Sequence, residues 1–208
     1  MKNRIGKRTL KYNAPIPIGA YATVAGRKEQ EGPLGSCFDH IFTTNLHEED
    51  SWEKAEQKLQ QYAMEIALEK AQLTGEQLDY FIGGDLLNQI IATSFTARAV
   101  GAPYFGVYGA CSSLVESMIL GSCLIDGGFA QRIGVCTSSH HDTAERQLRY
   151  PTEMGVQRTM TAQWTVTGSG AYILGEKAAD VAITRGIAGR IIDSGIKNNM
   201  DMGTAMAS

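Results

Sequence analysis

The chain has 208 residues, 43% of them hydrophobic and 20% charged, with a formal net charge of −3. That is the composition of a globular protein long enough to bury a core, and it excludes a disordered or fibrous chain. With no basic helix and no lysine-rich run there is no electrostatic footprint for nucleic acid, and no apolar run nears the ~18 residues of a membrane span.

Lys2, Arg4, Lys7 and Arg8 open the chain without an apolar run behind them, so a signal peptide is not expected. Pro15–Ile18 and Tyr21–Ala25 predict an extended first element closed by Gly26. Turn signals at Gly32-Pro33 and Gly35 follow. A helix is predicted from about Asp50, with Asp50 and Glu53 placed as a capping box. Trp52, Ala55, Leu59, Tyr62, Ala63, Ile66 and Ala67 recur at helical spacing as its buried face, and Gly75 ends it. Tyr80-Phe81-Ile82 reads as a short buried strand that runs into Gly83-Gly84. A second helix is expected over about Ile90 to Val100, then a strand over Tyr104–Tyr108. This strand–helix alternation predicts an α/β fold whose sheet is mixed and mostly parallel, with right-handed crossovers.

Gly109-Ala110-Cys111-Ser112-Ser113 then places a cysteine on a tight strand-to-helix turn. Nucleophile elbows have this geometry, and a helix N-terminus favours a thiolate. The same N–H groups could instead hold a ligand carboxylate, and a small buried hydrophobe is the third reading of Cys111. The Leu114–Asp126 helix is apolar around most of its circumference, as central helices with layers on both sides are. Arg132–Thr137 reads as a strand. Residues 138–163 form a long polar segment with Arg146, Arg149 and Arg158, the pattern of a binding loop or of a solvated excursion. Thr165–Gly170 and Ala171–Leu174 predict a glycine turn and a strand, and Val181–Thr184 with Gly189–Ile192 an extended pair.

The cysteines at 37, 111, 123 and 136 form no C-x-x-C pair, so they read as reduced thiols. Adjacent His140 and His141 would point to opposite faces of an extended backbone, which argues against a two-histidine metal site. No metal centre is expected. Asn88, just past a strand's carboxyl end, and Ser139 and His140 after the next strand lie where open α/β sheets bind ligands. Arg146 and Arg149 suit a carboxylate by chemistry, while most arginines in such loops make structural or surface pairs.

The element order with its helix-opening cysteine resembles the N-terminal half of the thiolase fold. Within that superfamily, Glu31–Gly35, Gly84–Gln89, Leu124–Ala130, Thr143–Arg146, Arg149–Glu153, Thr165–Ala171 and Asp201–Gly203 resemble the stage V sporulation protein AD family of spore-forming bacteria. The resemblance implies one thiolase-like domain over residues 1–208, lacking the second half that carries the superfamily's histidine and second cysteine. It implies binding of dipicolinic acid, with calcium, during its uptake and release by spores, and no enzymatic activity. Other stage V proteins at the spore inner membrane would be partners, the chain being peripheral there, and a homodimer is expected. The candidate ligand-binding residues are Cys111, Ser112, Asn88, Ser139, His140 and Asp193. Asp193, in Gly189–Asp193, would repel a dianion unless protonated or bridged by calcium. Acyl transfer through Cys111 and a non-catalytic interaction scaffold are the alternatives. Met118, Leu124 and Ile125 are expected on the uncovered flank of the central helix.

Overall fold

Residues 3–148, 164–175, 179–198, 201 and 203–204 are described in the computed structural model, those at 145–148 by their backbone only. The first long strand organises both sheets. β1 (Arg4–Ile5) pairs with the start of β2 (Thr9–Gly26), whose register shifts between Lys11 and Ile16 and again between Ile18 and Ala20. Pro15 and Pro17 fall in and beside the first shift, where a missing backbone N–H is tolerated. Early β2 joins a ribbon with β8 (Ala182–Ile187), while late β2 enters the main sheet beside β3 (His40–Phe42) and β7 (Gly168–Gly175).

The main sheet continues from β7 to β6 (Arg132–Ser139), β4 (Tyr80–Gly84) and β5 (Tyr104–Gly106). β6, β4 and β5 run parallel, and β7 is antiparallel to both of its neighbours. The architecture is the expected mixed α/β one.

Alternating side chains fill two cores, as the pleat requires. Phe81, Cys136, Ala171 and Ile173 face α2 (Trp52–Ala71) and α3 (Ile91–Val100), with Leu59, Ala63, Met64 and Ala67 of α2 fully buried among them. Ile82, Ile133, Val135 and Leu174 face the other way, with Tyr12 and Ile16 of the ribbon and Leu114 and Met118 of α4 (Ser113–Asp126).

Several boundaries differ from expectation. Ser51, not Asp50, caps α2, its Oγ accepting from Lys54 N, and Asp50 pairs instead with Lys54. The helix ends at Ala71 with Gln72 in the left-handed region (φ 58°), because the chain turns before it reaches Gly75. Trp52 and Tyr62 lie at the edge of its face and stay exposed, whereas Glu56 and Gln60 are buried. A helix, α5 (His141–Leu148), occupies part of the segment expected to be irregular. Arg149, Arg158 and the side chain of Arg146 lie outside the described residues. The expected strand over Gly189–Ile192 does not form, and Ile191 is fully exposed.

Helix α4 meets the sheet through a stripe of small residues, with larger apolar side chains packed beside it. Its buried residues are Ser113, Ser117, Gly121 and Ser122, and Gly121 sits against Leu174 and Ile133. Small residues let the helix axis approach the sheet closely. Met118, Leu124 and Ile125, expected on the uncovered flank, pack instead against the second core, while Val115 and Leu120 are exposed. No described helix is long and apolar enough to cross a membrane.

Candidate functional site

Three loops leave the carboxyl edge of the parallel strands β5, β4 and β6. The first, after β4, is organised by Asp85. This buried carboxylate accepts from Leu87 N at 2.8 Å, from Thr93 N at 2.7 Å and from the Thr93 hydroxyl. Those bonds fold residues 85–93 into a compact arch in which Gln89 and Ile90 both have positive φ (59° and 47°). For a β-branched residue that conformation is costly and persists only where the surroundings fix it. Ile90 Cδ1 fills the space that a side chain on Gly106 would need. Asn88 is exposed on this arch.

The second loop follows β5 and carries Cys111. Gly109 N donates to Ser113 Oγ at 3.2 Å, and Ser112 Oγ donates back to Gly109 O at 2.7 Å. Ala110 takes the strained position of the elbow, with φ 48°. Cys111 and Ser112 are exposed at the start of α4. Because the Ser112 hydroxyl is turned back, no side chain caps the helix. A 3-10 turn over Ala110–Ser112 leads into it, with Ser112 N donating to Gly109 O at 3.0 Å and Ser113 N to Ala110 O. The positive end of the helix dipole, which favours anions, lies at this turn. Glu116, in the first turn of α4, brings Oε2 close over Gly109, so a side chain there would have to displace the ends of Glu116 and Ser112. An acid at this end favours the helix dipole and competes with any incoming carboxylate. Gly84 locks the two loops together, since a Cβ there would collide with Val107 O and press on Ser113 Oγ.

The third loop follows β6. Ser139 Oγ donates to Val166 O at 2.7 Å. The His140 ring is fully buried, its Nε2–H donating to Asn45 O at 2.7 Å and its Nδ1 accepting from Asp142 N at 3.2 Å. Burial holds its pKa below the ordinary histidine value, so the ring is neutral. With both nitrogens engaged, the ring has no nitrogen left for a ligand or for the Cys111 proton. Asp193 is exposed, with Oδ1 accepting from Gly195 N at 2.8 Å. The fold thus gathers the loops of Asn88, Cys111, Ser112 and Ser139 on one edge and turns the His140 ring inward.

Beneath the loops lies a buried polar chain that periodicity alone did not reveal. Glu56 Oε1 accepts from Ser138 Oγ at 2.8 Å, and Oε2 from Thr143 Oγ1 at 2.7 Å. Gln60 Nε2 donates to Ser138 Oγ at 2.8 Å and to Thr93 Oγ1 at 2.9 Å, which leads to Asp85. The available signal was that Glu56 and Gln60, four residues apart, directly follow Ala55 and Leu59 in the apolar stripe of α2.

The thiols differ in environment. Cys136 is buried and its thiol is pushed up to about 12 by desolvation, and burial also raises Cys123. Cys123 is nonetheless exposed, like Cys37 and Cys111. Brief iodoacetamide treatment followed by peptide mapping is expected to label Cys111 and Cys37 first, Cys123 more slowly and Cys136 only after denaturation. Early labelling of Cys136 would show the core to be open.

The profile of the stage V sporulation protein AD family matches residues 6–208. This chain belongs to that family. It is 45% identical over 202 residues to stage V sporulation protein AD of Bacillus subtilis (strain 168), an alignment covering 97% of this chain and 60% of the relative. The chain thus spans about 60% of the length of its curated relative. Among solved structures, 3-oxoacyl-[acyl-carrier-protein] synthase III from Aquifex aeolicus VF5 superposes with TM-score 0.52 at 16% identity, over 78% of this chain and 54% of that one. A point variant of OleA from Xanthomonas campestris superposes with TM-score 0.54 at 14% identity, over 79% of this chain and 59% of that one. These likenesses establish a thiolase-like fold for this member of the stage V sporulation protein AD family.

Proposed function

We propose that this sporulation-family protein binds dipicolinate at the carboxyl edge of β4, β5 and β6. The observation that carries the reading is the exposed turn of Cys111 and Ser112, which opens α4 at the positive end of its dipole with no side-chain cap. Dipicolinate is a flat ring with two carboxylates. One carboxylate would sit against the Cys111–Ser112 turn, favoured by the positive end of the α4 dipole. The Asn88 arch and the loop of Ser139 flank the ring. Glu116 opposes a bare dianion, and a calcium ion shared between Glu116 and the ligand would reverse the sign of that interaction. Among the described residues, no group of three or more His, Cys, Asp or Glu side chains could hold a metal by itself. Calcium would then arrive with the ligand. Binding without turnover fits the engagement of both His140 nitrogens, which leaves that ring unable to take the Cys111 proton.

The family supports a role in spores, with attachment to the inner membrane through other stage V proteins. The exposed Val115, Leu120 and Phe129 beside α4 support pairing with a second copy or a partner chain.

Titration calorimetry with dipicolinate tests the reading. Heat and a raised Tm are expected, and in calcium-free buffer Glu116→Gln tightens binding by roughly two- to five-fold, the worth of one charge at a helix end. Folded protein that shows neither heat nor a Tm change at millimolar dipicolinate would refute it. Acylation of Cys111 by an acyl thioester, seen as an added mass, would favour acyl transfer instead.

A further inference from the structure

Glu56 and Asp85 are both fully or almost fully buried, at 0% and 1% exposure, and the chain Ser138–Gln60–Thr93 joins them. Their donor sets are unequal. Burial raises the Asp85 pKa, and two backbone N–H groups and a hydroxyl offset part of that cost. Glu56 receives only two hydroxyls, and each has other uses. Ser138 Oγ already accepts from Gln60, and Thr143 Oγ1 also lies 3.0 Å from His140 O. A proton on Glu56 Oε2 would be donated to Thr143 Oγ1, freeing the Thr143 hydrogen for His140 O while Ser138 still donates to Oε1. The neutral acid is therefore fully matched.

The groups around it supply no compensating cation among the described residues. Asp85 repels a second negative charge. Cys136 on β6 stays a thiol, and Thr93 of α3 and Ser169 of β7 do not titrate. His140 and His47 are held neutral by burial, Asp142 on α5 is acidic, and Lys58 is engaged with His47 O, Glu48 and Glu49. β2 meets α2 through Ala22 and Val24.

We propose that Glu56 is a proton-carrying positioning residue, whose neutral carboxyl latches α5 and the Ser138–His140 loop onto α2 and whose ionisation releases them. Besides Thr143, α5 is held by Asn45 Nδ2 donating to Asp142 Oδ2 at 3.1 Å and by His141 N donating to Thr167 Oγ1 at 2.9 Å, bonds that Glu56 does not touch. α5 is an eight-residue helix whose buried side chains, among those described, are Thr143 and Ala144. The loop it holds carries Ser139 and His140, so the latch gives the candidate site a proton dependence. The latch itself stands without any ligand. Desolvation pushes Glu56 up to about 7, which places the release near neutrality.

The sign follows from linkage. The folded state keeps a proton that the unfolded chain loses near the ordinary glutamate value. This contribution to stability is complete below that value and is lost as pH rises through about 7. Glu56→Gln reproduces the neutral acid, with its amide N–H donating to Thr143 and its carbonyl accepting from Ser138. Thermal unfolding of ligand-free wild type and Glu56→Gln is measured from pH 5 to 8. The wild type is expected to lose several degrees of Tm relative to the variant across that range, and hydrogen exchange in residues 138–148, corrected for intrinsic rate, is expected to speed up only in the wild type. A Tm difference that does not change with pH would overturn the proposal. Should Glu56→Gln fail to fold, infrared titration of the wild type decides, because a buried protonated carboxyl must be present at pH 6 and lost by pH 8. Dipicolinate is absent from every arm, so failure here leaves the binding reading intact.

Discussion

Replacing Gly84 by alanine is expected to cost about 2–3 kcal/mol of stability and to abolish ligand binding at the Cys111 turn, the overpacking of a rigid site being responsible. A Cβ at this position would run into Val107 O and press on Ser113 Oγ. Neither can yield easily. Val107 N is bonded to Gly83 O at 2.8 Å, and Ser113 Oγ holds Gly109 N. The strand end would separate from the loop, taking the start of α4 with it. Gly170→Ala is the control. It also lies within a strand, but its Cβ would meet only the Tyr172 ring at ordinary contact distance, 3.5 Å. Chemical denaturation and dipicolinate calorimetry on both variants decide the matter. Equal behaviour would show that the packing of the two loops at Gly84 does not hold the site.

Acid should destabilise the protein through His47, by about 2 kcal/mol between pH 6.5 and 4 at 1.36 kcal/mol per pKa unit, reduced for partial solvent screening. The ring is buried at 1% exposure beside Phe42 and His140. Desolvation, and next the neighbouring His140, push its pKa down to about 4. The unfolded chain binds a proton near the ordinary histidine value, while the folded state resists it. Stability is therefore full above that value and falls as pH drops toward 4. This slope opposes that of Glu56 over nearly the same pH range, so the two offset each other in the wild type and the variant comparison isolates His47. His47→Phe keeps the ring contacts and removes the titration. Its Tm is expected to match the wild type at pH 7 and to exceed it by several degrees at pH 5. A variant that loses as much stability as the wild type on going from pH 7 to 5 would rule out His47 as the acid-sensitive group.

Local chemistry and period determined much of the fold before any tertiary contact is considered. The Tyr80–Gly84 and Arg132–Ser139 strands, the helices near 52–71, 91–100 and 113–126, and the cysteine turn all follow from patterns within one element. Family membership was also written in the sequence, through motifs spread along the chain. Tertiary structure alone decided the rest, because those features depend on residues distant in sequence. Glu56 and Gln60 turn inward because Ser138, Thr143 and Thr93 are there to satisfy them, 82, 87 and 33 residues away respectively. The ring of His140 looks like a ligand group in sequence, yet Asn45, 95 residues earlier, draws it into the core. Helix α4 reads as apolar all round, but which side is buried depends on how closely its serines and Gly121 approach Ile133 and Leu174. A single-element pattern records which side chains prefer to leave water, and only the packed neighbours determine where each polar group finds its partner.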